Sequence, residues 1–361
     1  MLWSYVAIAI ALFFAMNIGA SGTAATMGAA YGSGAVKNKL VAMLLVAVAA
    51  FLGAVIGGGE VVKTISGGII SSGLMVGEVV VIVLAAATLT LFGANLMGIP
   101  LSTSEVTVGS IVGVGLAYQS VYVTNLLVIM SFWLLVPLAA FACAFVLGKL
   151  VKRIDRRWPD LQRPGSRGER WLCWLLVACG VYEAFSAGMN NVANAVGPLV
   201  GAGMMTASDG VWLGGLAVAA GCLLLGGKVL ETNGKKITSM SLLQGSVVSA
   251  TGGSLVIAAS LFGIPVPLTQ ATTCAILGVG TAEKGFRLWQ KGIIKQIAMV
   301  WIVSPVSSLV VSFGLVHLFL LGDMYILIAL ASVFVATLGS VVLVRLIRRE
   351  NSSINDQGGG I

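Results

Sequence analysis

The chain has 361 residues, of which 58% are hydrophobic and 9% are charged, and its mean hydropathy is +1.02. These values exclude a water-soluble globular domain of this size. Apolar runs recur along almost the whole chain and predict membrane-spanning helices, and the length allows about 10 to 12 crossings. The basic residues behind the net charge of +8 lie in loops beside these runs, which favours a role in topology over nucleic-acid binding.

The first polar interruption, at residues 19–34, mixes glycine with serine and threonine. Glycine destabilises a lipid-facing helix, and this composition therefore predicts a helix that breaks inside the protein. A matching segment at residues 188–203 contains Asn190, Asn191 and Asn194, and it predicts a second break. The alternative is that these polar groups join packed helices, which is common in membrane proteins.

A second pair of segments carries proline followed by hydroxyl residues. Residues 98–115 read GIPLSTSEVTVGSIVGVG and residues 263–280 read GIPVPLTQATTCAILGVG, with Pro100 and Pro265 at the same position. Proline followed by serine or threonine is typical of a helix start, so each segment predicts the beginning of a half-helix. The hydroxyl residues of these first turns are Ser102, Thr103 and Ser104 in one copy and Thr269 and Thr272 in the other.

The paired segments indicate that the chain is duplicated. We predict a first transmembrane repeat at residues 1–148 and a cytoplasmic basic linker at residues 149–170. A second transmembrane repeat follows at residues 171–322. The remainder, residues 323–361, is predicted to be a terminal transmembrane helix near residues 324–343 and a short cytoplasmic tail.

The basic residues predict how the two repeats lie in the membrane. The linker holds eight of the 21 basic residues, and the positive-inside rule puts it in the cytoplasm. Following the spans outward leaves only Lys63 on the other side. Residues 117–125 are uncharged, whereas the equivalent residues 282–295 hold four basic side chains. We therefore predict an all-α polytopic protein of two inverted repeats with broken or re-entrant helices and about 11 spans, its N-terminus outside and its C-terminus inside.

Several helix starts that meet at one place can bind an anion without lysine or arginine, because they present free N–H groups and a partial positive charge. Inverted repeats with interrupted helices are also typical of secondary transporters whose site lies between the halves. The four segments together therefore predict a buried anion site of backbone, hydroxyl and amide donors.

At these segments the sequence resembles the inorganic phosphate transporter (PiT) family, whose halves each carry a Gly-Ala-Asn-Asp-Val-Ala-Asn motif and a later Pro-Val-Ser-Thr-Thr-His motif. The resemblance covers nearly the whole chain and implies a bundle that moves an oxyanion with a cation gradient. Gly22 and Asn191 stand where the family has aspartate, and Glu105 and Gln270 stand where it has histidine. The candidate substrate-binding residues are Ser21, Gly22, Thr23, Ser102, Thr103, Ser104, Asn190, Asn191, Asn194 and Thr269.

The loss of both aspartates favours sulfate over phosphate. Phosphate at neutral pH keeps a proton that it can donate to a carboxylate, whereas sulfate only accepts hydrogen bonds and is repelled by a carboxylate. The pattern resembles the sulfate permease (CysP-like) branch of the family. It predicts a sulfate importer of the cytoplasmic membrane, with a phosphate transporter as the alternative.

Proton coupling follows from the same loss, since the family's aspartates help to hold the coupling cation. Carboxylates at membrane depth are candidates for carrying the proton, and these are Glu105, Glu183 and Glu78. Glu105 is the first choice because it lies beside the Ser/Thr turn. Glu60 and Glu231 are better interpreted as interfacial or paired residues.

Two other classes of protein compete with this interpretation. A membrane enzyme needs a nucleophile with a base or a metal cluster, and a chain with the single His317 and without an HExxH motif argues against one. An anion channel could use the same donors and stays the second alternative. The expected partners are sulfate, a coupling proton rather than sodium, the lipid bilayer and, from the resemblance, a second copy in a homodimer. We expect no cofactor, metal or nucleic acid.

Overall fold

The computed structural model describes residues 2–96, 101–237, 240–285 and 291–332, except 327 and 330. This part of the chain is almost entirely helical. The α-helices that it contains are α1 (Leu2–Gly32), α2 (Lys39–Gly57), α3 (Gly59–Gly67), α4 (Gly77–Leu96), α5 (Thr103–Ala117), α6 (Val123–Arg157), α7 (Arg167–Gly201), α8 (Ala207–Leu224), α9 (Gly226–Ile237), α10 (Leu242–Leu261), α11 (Leu268–Lys284) and α12 (Lys291–Val316).

Eight helical segments of the described residues are long and apolar enough to cross a membrane. Seven lie in α1, α2, α4, α6, α7, α8 and α10, and the eighth is Trp301–Leu321, while α5 is a shorter apolar helix. The prediction of a multi-pass helical membrane protein is confirmed. The count of about 11 spans and the orientation of the termini stay predictions.

The order of the helices repeats. Each set of six, α1 to α6 and α7 to α12, starts with a helix of at least 31 residues. The third helix is short in both sets, with 9 and 12 residues, and the fifth has 15 and 17 residues. This order agrees with a duplicated chain, while the boundaries assigned to the repeats stay predictions.

The helices α1 and α7 continue through most of the glycine-rich segments 19–34 and 188–203 and end at Gly32 and Gly201, so the prediction of helix breaks there was wrong. The glycines serve close packing instead. A Cβ atom on Gly19 would lie 2.0 Å from the carbonyl oxygen of Val218, and one on Gly188 would lie 1.9 Å from that of Ala50. Small residues let membrane helices approach to backbone contact without interrupting either helix.

The residues directly before α5 and α11 are not helical where the structure describes them, at 101–102 and 264–267. Residues 97–100, including Pro100, lie outside the described residues. After them, Ser102 is the N-cap of α5, and its hydroxyl accepts a hydrogen bond from the Glu105 amide at 3.4 Å. In the second copy α10 ends at Leu261, and α11 starts after Pro267, which provides no side-chain cap. The predicted helix starts are confirmed, but the hydroxyl cap is found in the first copy alone.

The chain forms two compact units, Met1–Ser312 and Phe313–Ile361. In the second unit His317 is buried, its ring lies 4.5 Å from that of Phe313, and its Nδ1 atom is 3.9 Å from the Asp323 carboxylate. Most of the terminal helix predicted near residues 324–343, and the tail after it, lie outside the described residues.

Candidate functional site

A buried polar cluster forms where the first turn of α5 meets the middle of α7. The Thr103 hydroxyl donates to Asn191 Oδ1 at 3.3 Å. Asn194 Nδ2 donates to the hydroxyls of Ser104, at 3.1 Å, and Thr103, at 3.4 Å. Asn194 is fully buried, and within the described residues its Oδ1 atom has no hydrogen-bond partner. Five predicted binding residues, including Asn190, therefore lie at this one junction, which we call the α5–α7 cluster.

Asn190 joins this cluster to the connection between α10 and α11. Its Nδ2 atom donates to Ser260 Oγ at 2.8 Å and to the Ile264 carbonyl at 3.0 Å. Its Oδ1 atom accepts from the Val266 amide at 3.1 Å. The Ser104 hydroxyl donates to the Val266 carbonyl at 3.1 Å. Because the amide is fully used in this way, Asn190 positions the approach to α11.

The N-terminal turns of α5 and α11 meet through Glu105 and Gln270. Gln270 Nε2 donates to Glu105 Oε1, and the two side chains are 1% and 4% exposed. These residues are equivalent in the repeat, so each copy supplies one partner. Glu105 Oε2 and Gln270 Oε1 are buried and find no hydrogen-bond partner in the described part of the chain. The Glu105 carboxylate is attracted to the start of α5, since the first turn of a helix carries a partial positive charge.

The positions that hold aspartate in the family motif face a shared cavity between α1, α2, α7 and α8. Gly22 and Asn191 both line it, together with Gly19 and Gly188. The cavity has a volume of about 10 Å³, which is room for about one water molecule. Through Asn191 this space adjoins the α5–α7 cluster. An oxyanion could enter only if the surrounding helices moved apart.

The predicted donors of α1 are used within their own helix. The Ser21 hydroxyl donates to the Ile18 carbonyl at 3.1 Å, and the Thr23 hydroxyl donates to the Gly19 carbonyl at 2.9 Å. Among the described residues, neither hydroxyl forms a hydrogen bond with the α5–α7 cluster. Thr269 lies half-buried in the first turn of α11, where its carbonyl accepts from the Thr273 hydroxyl. Among the three predicted residues of α1, Gly22 has the clearest link to the cluster, because it lines the same cavity as Asn191.

The other carboxylates differ sharply in environment. Glu183 is fully buried, accepts a hydrogen bond from the Thr272 hydroxyl at 2.8 Å, and leaves Oε2 unpartnered among the described residues. Glu78 is half-buried in the first turn of α4. Glu60 pairs with Lys63 at 2.6 Å, and Glu231 pairs with Lys39 at 2.7 Å, all with exposed side chains. The interpretation of these last two glutamates as paired residues is confirmed.

Sequence reasoning missed several residues of the site. Ser304, on α12, accepts a hydrogen bond from the Ser102 amide at 3.3 Å, and Ser260 accepts from Asn190. Gln270 was noted as the equivalent of Glu105, but its contact with Glu105 was not predicted. The usable signal was the sequence repeat itself, because Glu105 and Gln270 hold the same position in its two copies.

The fold and the buried cluster define a multi-pass membrane protein whose polar site is built at helix starts. The phosphate transporter family matches residues 18–312, and the chain belongs to this family. The resemblance drawn from the motifs is thereby confirmed.

Individual relatives extend this assignment. The chain is 53% identical to a protein named sulfate permease CysP from Bacillus subtilis strain 168, over 98% of this chain and 99% of the relative. It is 27% identical to a putative phosphate permease from Pyrococcus abyssi, over 85% of this chain and 96% of that protein. A solved structure described as the sodium-dependent phosphate transporter has the same fold, with a TM-score of 0.77 at 23% identity, covering 89% of this chain and all of that one.

Proposed function

We propose that this protein is a secondary transporter that imports sulfate across the cytoplasmic membrane by proton symport. The observation that carries the proposal is the cavity lined by Gly22 and Asn191, which holds no carboxylate at either position. A fully ionised oxyanion accepts hydrogen bonds only, and an uncharged lining removes the repulsion that an aspartate would exert. The 53% identity to a protein named sulfate permease agrees with this chemistry.

Alternating access requires two halves that can rock about a shared site, and the helix directions support inverted halves. Along α7, Phe185 packs against Gly53 of α2, and Gly197 packs against Ile65 of α3. Residue numbers rise together in these contacts. The helix pair α2–α3 and the helix α7 therefore run in the same direction.

The helix α8, which is the equivalent of α2, runs the other way. Gly210 packs against Val200 of α7, and Gly214 packs against Val192, so residue numbers rise in one helix as they fall in the other. Since α2 is parallel to α7 and α8 is antiparallel to it, the equivalent helices α2 and α8 have opposite directions. Opposite directions are what two inverted repeats require.

Glu105 couples the proton to the anion in this proposal. As a carboxylate in the first turn of α5, it occupies the same positive helix start that would attract sulfate. A proton on Glu105 removes that negative charge and lets the helix start, Asn194 and the Thr103 hydroxyl serve the substrate. Binding of a proton and binding of sulfate then favour one another, as linkage between two sites requires.

The test is uptake of radiolabelled sulfate by proteoliposomes under imposed proton or sodium gradients, with phosphate as competitor. We expect proton-driven accumulation that is indifferent to sodium and resists excess phosphate. Sodium-driven uptake of phosphate would instead support the alternative drawn from the phosphate permease relatives. Sulfate flux that never exceeds electrochemical balance would identify an anion channel.

Glu105→Gln tests the coupling step. The amide retains the hydrogen bond to Gln270 but cannot titrate, and so we expect sulfate uptake to lose its dependence on pH while counterflow of sulfate persists. Glu183→Gln and Glu78→Gln in parallel test the other two candidate carriers. If the pH dependence survives in Glu105→Gln and disappears in Glu183→Gln, the proton carrier is Glu183.

A further inference from the structure

A groove with basic and aromatic walls lies between the start of α2 and the start of α7, apart from the candidate site. It has a volume of about 570 Å³, and Lys37, Arg170 and Trp174 contribute to its lining. A second hollow, lined by Arg167, Arg170, Trp171 and Trp174, adjoins it through the two residues that they share. We call the two together the basic groove.

The basic groove carries a net positive charge that is exposed and not paired with acidic side chains of the described residues. Lys37, Arg167 and Arg170 are exposed, and among the described residues none of them forms an ion pair. The lining contains one carboxylate, Glu169, which accepts a hydrogen bond from the Gly165 amide at 2.5 Å. Three cations against one anion leave a net positive surface that suits an anionic ligand.

The groove is amphipathic as well as basic. Trp171 and Trp174 are 76% and 72% exposed, and tryptophan is enriched where a membrane meets water. Val41, Leu45 and Val177 add an apolar wall, and both helices that form the groove are membrane-span candidates. A phospholipid has this same division, with a charged headgroup at the level of helix ends and apolar chains beside the helices.

The equivalent place in the other copy lacks this charge. There the start of α1 carries the exposed Trp3 and Tyr5, and the loop before α8 is residues 202–206. Neither residues 1–36 nor residues 202–206 contain a lysine or arginine. Exposed aromatic residues therefore occur at this place in both copies of the repeat, whereas the cations occur only in the basic groove.

We propose that the basic groove binds the headgroup of an anionic phospholipid of the phosphatidylglycerol type. Lys37, Arg167 and Arg170 contact the phosphate, and Trp171 and Trp174 lie against the glycerol and the upper acyl chain. This site is separate from the α5–α7 cluster, and the proposal does not depend on which anion the protein transports.

The test uses the full-length protein in bilayers of phosphatidylcholine mixed with phosphatidylglycerol, with bromine on the acyl chains of one lipid at a time. Bromine quenches tryptophan fluorescence on contact. The double variant Trp171→Phe/Trp174→Phe shows how much of the quenched fluorescence comes from these two of the eight tryptophans. We expect brominated phosphatidylglycerol to quench them more strongly than brominated phosphatidylcholine. Each cation that is replaced by Gln should lower the affinity for phosphatidylglycerol relative to phosphatidylcholine by about fivefold. Replacing Lys37, Arg167 and Arg170 together should therefore remove the preference.

A matched control removes three exposed cations outside the groove, with Arg153, Arg156 and Arg157 of α6 each changed to Gln. This variant should keep the preference for phosphatidylglycerol. Equal loss in both triple variants would overturn the proposal in favour of general surface attraction. Displacement of the quenching by soluble glycerol phosphate, without any lipid preference, would also overturn it, because the groove would then be a site for free phosphate esters.

Discussion

The α1 and α7 copies of the glycine-rich motif use their polar side chains in opposite ways. In α1, the hydroxyls of Ser21 and Thr23 return to carbonyls of the same helix. In α7, the amides of Asn190 and Asn194 reach out to α5 and to the connection before α11. Both copies keep a glycine that allows backbone contact with the opposite half of the molecule.

The difference divides two tasks between the two copies of the motif. The α1 copy contributes close packing and the space beside Gly22, whereas the α7 copy positions hydrogen-bond donors. A site between equivalent halves need not use equivalent residues, because each half can specialise while the packing contacts preserve the symmetry of the backbone. Glu105 and Gln270 are a second example, since only one of the two can titrate.

The largest effect on stability is expected at the glycines that both copies use for backbone contact. In Gly188→Ala the new Cβ would lie 1.9 Å from the Ala50 carbonyl oxygen, so that α2 and α7 must separate. Overpacking of this kind costs roughly 3 kcal/mol, and thermal unfolding in detergent should begin at clearly lower temperature. Gly22→Ala is the matched control, because a Cβ there meets no described heavy atom within 4 Å apart from its chain neighbours and the nearby backbone of α1. It should fold normally but lower uptake by filling the cavity; equal melting temperatures for both variants would contradict this account.

Asn190→Ala tests the outward role of the α7 copy. The Val266 amide and the Ile264 carbonyl would lose their partner, and each buried unsatisfied group costs roughly 1 to 3 kcal/mol. We expect a loss of sulfate uptake and faster amide hydrogen exchange at Gly263, Ile264 and Val266. Asn190→Asp keeps the acceptor for Val266 and should show a smaller increase. Unchanged exchange in Asn190→Ala would show that this amide does not hold the connection.

Asn191→Asp addresses recognition of the anion. At an effective dielectric constant of about 20, two unit charges of the same sign about 4 Å apart repel each other by about 4 kcal/mol, so sulfate affinity should fall by at least about tenfold. Asn125→Asp, at an exposed position in the first turn of α6, is the control and should leave affinity unchanged. An unaltered dissociation constant in Asn191→Asp, measured by calorimetry, would argue against the electrostatic account of selectivity.

The smallest effect is expected at Glu60. Its carboxylate is 2.6 Å from Lys63, but both side chains are more than half exposed, and such surface pairs contribute at most about 1 kcal/mol. Glu60→Gln should leave thermal stability and proton-driven uptake nearly unchanged. A strong loss of pH dependence in this variant would shift proton transfer away from the buried carboxylates.

The helix starts at α5 and α11 could be predicted because proline and hydroxyl residues favour these positions locally. The continuity of α1 could not, since glycine in a membrane segment serves equally to break a helix or to admit a neighbour. The same ambiguity applies to Ser21 and Thr23, which stay predicted ligands while their hydroxyls donate to carbonyls of α1. Local composition does not reveal whether a polar group faces its own backbone or another helix.

The sequence by itself determined that this chain is a multi-pass membrane protein, that its segments are repeated, and that it belongs to a transporter family. Those properties follow from hydropathy and from short motifs, both of which depend on residues that are close together in the sequence. Only the tertiary structure decided that Glu105 meets Gln270 and that Gly22 shares a cavity with Asn191. The reason is that such pairings depend on how helices distant in sequence cross, and backbone contacts such as Gly188 with Ala50 decide that crossing.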